Sequence, residues 1–166
     1  MKAKLIIENK EIEVEISEEE YKKLQPPETG YERVSESDIY FYANSRGCVE
    51  TACEDYYDVD NEYYESANYY SSKTVAENNA RADKLMRQLR RFSVEHREHG
   101  VNLNDTNTKK NYICYDYEDN ELRTSFMFSS RIFGAINFDS EETAQAAIDE
   151  FHDELIWYFT EYEDSL

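Results

Sequence analysis

Polar and apolar residues alternate strictly through Glu11-Ile-Glu-Val-Glu-Ile16, the pattern of a strand with one covered face. Lys4-Leu-Ile-Ile-Glu8 precedes it across Asn9-Lys10, so the two runs predict a hairpin. Ser17-Glu-Glu-Glu20 has the form of a capping box and opens a short helix through Leu24, which Pro26-Pro27 ends. Residues 1–25 therefore read as a ββα appendage, and 26–37 as a linker. Beyond it the pattern repeats. The first copy, about 38–100, has strand Ile39-Tyr-Phe-Tyr42, a turn at Ser45-Arg-Gly47, strand Cys48-Val-Glu-Thr-Ala-Cys53 and an acidic loop. Strand Ala67-Asn-Tyr-Tyr70 and a helix from Ser71 complete it. The second copy, about 111–162, has strands Tyr112–Tyr117, Leu122–Phe128 and Gly134–Phe138, then a helix from Asp139.

The two helix entries align, Tyr70-Ser-Ser-Lys-Thr-Val-Ala76 over Phe138-Asp-Ser-Glu-Glu-Thr-Ala144, with Asp139 and Glu142 forming a capping box. Each half is thus a three-strand meander with a packing helix. The fold class is α+β: an N-terminal ββα unit followed by a duplicated βββα domain over 38–166. Apolar stripes at three- and four-residue steps mark the core faces of both helices: Val75, Ala82, Leu85, Leu89 and Phe92 in one, Ala144, Ile148, Phe151, Leu155 and Tyr158 in the other.

Charge changes this picture more than any motif does. The 166 residues carry 37 acidic and 18 basic side chains, a net charge of −19. A compact chain of this length is roughly 40 Å across, and duplex DNA spreads nineteen charges over about 32 Å. Such a surface repels free nucleic acid and anionic membranes and attracts nucleic-acid-binding proteins. Halophilic adaptation fits poorly with nine lysines and so many aromatics. The charge is also segregated: residues 1–70 sum to −11, 71–110 to +4 and 111–166 to −12.

No catalytic signature is present. Four scattered glycines form neither a phosphate loop nor a dinucleotide fingerprint, and there is no GxSxG. His96 and His99 lack a third ligand nearby and read as solvated or C-capping residues. Asp58-Val-Asp60-Asn-Glu62 starts like a calcium loop, but Tyr63 and Tyr69 stand where glycine and glutamate are needed. The expectation is no enzyme, no cofactor and no metal. Cys48, Cys53 and Cys114, without a CxxC pair, read as small buried hydrophobes. No apolar run spans a bilayer and no signal peptide is evident, so the expected location is cytoplasmic.

One segment carries candidate binding chemistry: Glu54, Asp55, Tyr56, Tyr57, Asp58, Asp60, Glu62, Tyr63, Tyr64 and Glu65, with no basic residue among them. Carboxylates can take the place of phosphates against Lys and Arg, and tyrosine rings can stack on guanidinium groups as bases do. Asp116, Tyr117, Glu118 and Asp119 repeat this chemistry in shorter form. The competing reading is a solvated loop with its tyrosines folded onto the sheet. The basic face of helix 81–97 (Lys84, Arg87, Arg91) either pairs with acidic loops, inside the molecule or in a homodimer, or touches nucleic acid held by a partner.

The run Ala67-Asn-Tyr-Tyr-Ser-Ser-Lys-Thr-Val-Ala-Glu77 with Leu85 through His96 resembles a pattern in small acidic proteins of phages and mobile elements of Gram-positive bacteria. Gly134-Ala-Ile-Asn-Phe-Asp-Ser-Glu-Glu-Thr-Ala144 is similar to their C-terminal element. The likeness covers about residues 38–160, rests on structural caps, and implies no functional residue. It implies an anti-restriction or anti-CRISPR inhibitor of host defence. The expected partner is then a basic nucleic-acid-binding protein of the Cas9 type, whose DNA-binding surface would be blocked by charge mimicry. The alternative is a non-catalytic interaction or regulatory module of such an element.

Overall fold

The structure, a computed structural model, describes residues 2–7, 10–15, 17 and 28–162, the first two segments by backbone alone. The expected helix through Leu24 and its Pro26-Pro27 stop lie outside the described residues. Strands β1 (Lys2–Ile7) and β2 (Lys10–Glu15) pair antiparallel, Lys2 opposite Glu15 and Ile7 opposite Lys10. Lys10, expected in the turn, is the first residue of β2.

The rest is α+β. Strands β3 (Ile39–Ala43) and β4 (Val49–Cys53) form one hairpin, and β5 (Lys110–Asp116) and β6 (Glu121–Met127) another. The helices are α1 (Asp58–Glu65), α2 (Lys73–Glu95) and α3 (Glu141–Trp157), with a π-helical turn over Tyr158–Tyr162. The third strands expected at 67–70 and 134–138 shrink to single bridges, Phe41 with Tyr70 and Asn111 with Phe138. The chain makes both pairing bonds there, Phe138 N–H to Asn111 at 2.7 Å and the reverse at 3.0 Å, then turns into a helix.

Helix entry is set by serine rather than aspartate. Ser72 accepts from Val75 N–H and Ser140 from Thr143 N–H, leaving those amides satisfied at each first turn. The expected Asp139–Glu142 box is thus corrected: Asp139 Oδ2 instead accepts Glu98 N–H at 2.6 Å, tying the segment after α2 to the start of α3. α2 stops at Glu95, ahead of Gly100; the His96 ring stacks on Phe92 and its Nδ1 lies 3.0 Å from the Phe92 carbonyl oxygen. α3 bends at Phe151 (φ −111°, ψ 21°), whose ring meets Phe92 edge-on.

The apolar core lies where α2 crosses α3 over the β5–β6 hairpin: Leu85, Leu89, Phe92, Phe138, Ala144, Ala147, Ile148 and Leu155. Around β3–β4 the interior is phenolic, with Tyr40 and Tyr69 fully buried and their rings stacked at 4.1 Å. Lys110 is also buried; its ammonium donates to the carbonyls of Asp105, Thr108 and Phe128, closing the loop that leads into β5. The cysteines depart from expectation. Cys48 and Cys53 are exposed and Cys114 half-buried, because a two-stranded ribbon has an uncovered face and β4 ends on it.

Residues 28–37, expected as part of a linker, are fastened along their length. Gly30 is buried, its carbonyl accepts Ser71 N–H, and the Tyr31 hydroxyl accepts from Asn79 on α2. At Gly30 (φ +85°) a Cβ would stand 2.6 Å from Val75 Cγ2. Gly30→Ala is therefore expected to destabilise the fold by more than about 1 kcal/mol, read as an earlier denaturation midpoint; an unchanged midpoint would show that this close approach does not matter.

Candidate partner-binding surface

The acidic segment after β4 is not a loop throughout: residues 58–65 form α1. Its start has an unusual composition. Tyr57 is the N-cap, and the side chain of Asp60, three residues on, accepts Tyr57 N–H at 3.0 Å in the manner of a capping box. Asp60 also accepts Asp55 N–H (3.2 Å) and the Tyr40 hydroxyl (2.8 Å), and it is buried. Its carboxylate is thus spent inside the fold and cannot meet a partner.

Glu54 is withdrawn in the same way. Its side chain has no exposed surface and accepts Arg33 Nε at 2.8 Å and Nη2 at 2.9 Å, the Tyr69 hydroxyl at 2.8 Å and Tyr56 N–H at 2.8 Å. The Arg33 hydrogen bonds above all hold its carboxyl down at about 2, against the desolvation that would raise it. The Tyr69 hydroxyl is pushed well above the usual phenol range, by burial first and then by its bond to Glu54. Arg33 continues outward: Nη1 donates to Asn61 at 2.8 Å, and its guanidinium carbon lies 4.7 Å from the Tyr56 ring centre and 5.4 Å from that of Tyr64. A cation from the expected linker therefore organises a segment that has none of its own.

Two of the ten candidate residues in this segment, Glu54 and Asp60, are thereby removed from the surface. Tyr63 is half-buried, stacked at 4.4 Å on Tyr42, so the reading of tyrosines folded onto the sheet holds for it. Asp55, Tyr56, Tyr57, Asp58, Glu62, Tyr64 and Glu65 are exposed. Asp58, Glu62 and Glu65 are spaced four and three residues apart and so share one face of α1, with about 10 Å of helix from first to last. None of these three, nor Asp55, pairs with a cation among the described residues. Tyr56 sits at φ +57°, a left-handed conformation uncommon for an aromatic residue, fixed by its N–H bond to Glu54 and by Arg33 over its ring.

The second cluster is quieter than its sequence suggests. It occupies the β5–β6 turn, where Asp116 Oδ1 accepts the N–H groups of Glu118 (2.9 Å) and Asp119 (3.3 Å). Those two bonds draw the Asp116 carboxyl below its usual range. Arg123, across the hairpin, pairs with Asp116, Asp119 and Glu121 together. Tyr117 is exposed, with its hydroxyl donating to the Phe159 carbonyl at 3.1 Å, and Glu118 projects into solvent. No hydrogen bond, ion pair or ring contact joins this cluster to α1 among the described residues.

On α2, Arg81 is paired within the molecule. It is bidentate to Glu154 at 2.8 and 3.2 Å and lies 3.9 Å over the Trp157 ring. Arg91 reaches Glu95 at 3.8 Å. Lys84, Arg87 and Arg90 are exposed and make no ion pair among the described residues. Within the same residues no three His, Cys, Asp or Glu side chains converge as a metal would require, and no helix is long and apolar enough to cross a membrane.

Arg33 and Arg123 are the residues that sequence reasoning missed. Only the surplus of carboxylates beside each turn hinted that a distant cation must fold over them. The chain matches no protein-family model, no curated protein and no solved structure.

Proposed function

We propose that this protein is a non-catalytic acidic inhibitor of a bacterial defence nuclease, acting in the cytoplasm of the host cell. The most specific form of the proposal is an anti-CRISPR protein that occupies the DNA-binding surface of a Cas9-type effector by charge mimicry. The observation that carries it is the outward ridge formed by α1 and the three residues before it: four carboxylates without cation partners among the described residues (Asp55, Asp58, Glu62, Glu65), interleaved with exposed Tyr56, Tyr57 and Tyr64. Such a ridge offers an arginine-lined channel carboxylates and the exposed ring of Tyr57, while the rings of Tyr56 and Tyr64 already carry Arg33 on one side. The left-handed Tyr56 supports the same reading, since backbone strain concentrates where a side chain must be presented.

A second reading, an interaction module whose partner need not be basic, draws on the apolar share of that ridge, where Tyr57 is 67% and Val59 50% exposed. We also read the two halves as copies of one unit made of a hairpin, a bridging residue and a helix. Support comes from the two bridges, at Tyr70 and Phe138, which fall at aligned positions just before the α2 and α3 caps.

The test replaces Asp55, Asp58, Glu62 and Glu65 with Asn or Gln and leaves Glu54 and Asp60 intact. Capture of guide-loaded Cas9 at low salt is expected to weaken roughly tenfold to a hundredfold, and DNA should compete with the unmodified protein. Unchanged capture, or capture that resists high salt, would replace mimicry with the second reading.

A further inference from the structure

A cavity of about 320 Å³ opens between α2, β5, the turn at 132–136 and the end of α3, and no charged side chain lines it. On its rim stands Phe133, 105% exposed, beside Ile132 at 48%. A phenyl ring fully in water next to an unfilled apolar hollow is a knob beside a hole. A cavity of roughly 150 Å³ with such a lining accepts benzene, so this one has room for the Phe133 and Ile132 side chains of another molecule.

The charge map selects which molecule. Residues 122–138 are the longest stretch of the chain without a carboxylate, and 84–94 and 106–115 are two further acid-free stretches. These three stretches supply most of the lining, including Leu85, Tyr112, Cys114 and Ile136. Two copies of a chain with charge −19 repel each other over most of their surface. Through this face they bring together a lining without a carboxylate or a cation, so none of the acidic surplus enters the contact. A two-fold contact requires each patch to hold both the projection and its receptacle, and here the projection is part of the receptacle's rim. A small apolar ligand would fill the hollow yet leave Phe133 in water; a second copy removes both exposures in one contact.

We propose that the chain forms an isologous dimer through this face, Phe133 of each copy entering the cavity of the other. The face is distinct from the basic side of α2 marked by Lys84, Arg87 and Arg91, and the proposal does not depend on the inhibitor reading. Phe133 buries no surface in the monomer, so aspartate in its place is expected to leave the fold intact while placing a charge in the apolar hollow of the other copy.

Sedimentation equilibrium on the full chain, from micromolar to near-millimolar concentration, compares the unmodified protein with Phe133→Asp and with Ile39→Asp, an exposed apolar position on β3. A dimer in the unmodified protein and in Ile39→Asp, with the dissociation constant of Phe133→Asp raised about 100-fold at unchanged melting temperature, is expected. A monomer at every concentration, a dimer that survives Phe133→Asp, or equal loss in both variants would overturn the proposal. So would a monomer that carries a small apolar molecule detectable by mass spectrometry.

Discussion

Replacing Phe138 with alanine is expected to lower the unfolding free energy by about 3–5 kcal/mol. Phe138 is 1% exposed and belongs to the cluster formed by Leu85, Leu89, Ala144 and Ile148. Its backbone is held on both sides by Asn111, so the chain cannot slide inward to fill the space its ring leaves. Two alanines of α3, Ala144 and Ala147, pack in that cluster with no exposed surface, and neither is large enough to move across a ring-sized void. Urea denaturation followed by far-ultraviolet circular dichroism measures the change. A loss under about 1 kcal/mol would mean that the junction before α3 relaxes freely and is not the hub the geometry describes.

The second large effect is electrostatic. Glu54→Gln is expected to cost about 3 kcal/mol at neutral pH, at the low end for a broken buried pair because the Arg33 side chain keeps 24% of its surface in water. The pH dependence gives a sharper signature. The Glu54 carboxyl is held at about 2 in the fold against an ordinary 4.5, so the folded state binds its proton less readily than the unfolded chain. Its stabilisation is therefore complete above about 4.5 and is lost progressively as pH falls toward 2. In the glutamine variant that part of the acid limb should flatten. Glu32 is lowered to about 2 as well, mainly by Thr29 N–H, but it stands in solvent and its share is screened. Equal acid slopes in the two proteins would assign the acid sensitivity to other carboxylates.

The long helices were legible because their stripes are long: Ala82, Leu85, Leu89 and Phe92 lie on one side of α2, and burial follows them. The strands of β3–β4 and β5–β6 were legible from their β-branched and aromatic runs and the turns between them. α1 was not. Its cap is a tyrosine and its box is closed by an aspartate, while the usual signal is Ser or Thr with Glu or Gln. Eight residues rich in tyrosine and carboxylate also resemble a loop in composition. The expected third strands carried strand-like residues, but a strand needs a neighbour along its length, and each of these meets one residue of its hairpin before a serine cap turns the chain into a helix. The candidate surface was half legible for a similar reason. A carboxylate's sequence neighbours do not reveal which cation will reach it, and Arg33 lies 21 residues before Glu54. Sequence therefore counted Glu54 and Asp60 as outward charge, whereas the fold uses one as the counter-ion of Arg33 and the other as a cap.

The double use of Asp60 has a consequence for motion. Because one oxygen takes the Tyr40 hydroxyl of β3 and the other the Asp55 and Tyr57 amides that lead into α1, the short helix cannot fray from its first turn without breaking a contact to the hairpin. Eight residues alone would be too short to hold a helix in water. Here they open only together with the hairpin, so their amides should exchange with deuterium at the hairpin's slow rate and not at a loop's fast one. A partner of the proposed kind would then meet the ridge already shaped, and association would lose little freedom in ordering it. Weak individual charges on a rigid frame can in that way add up to a usable grip.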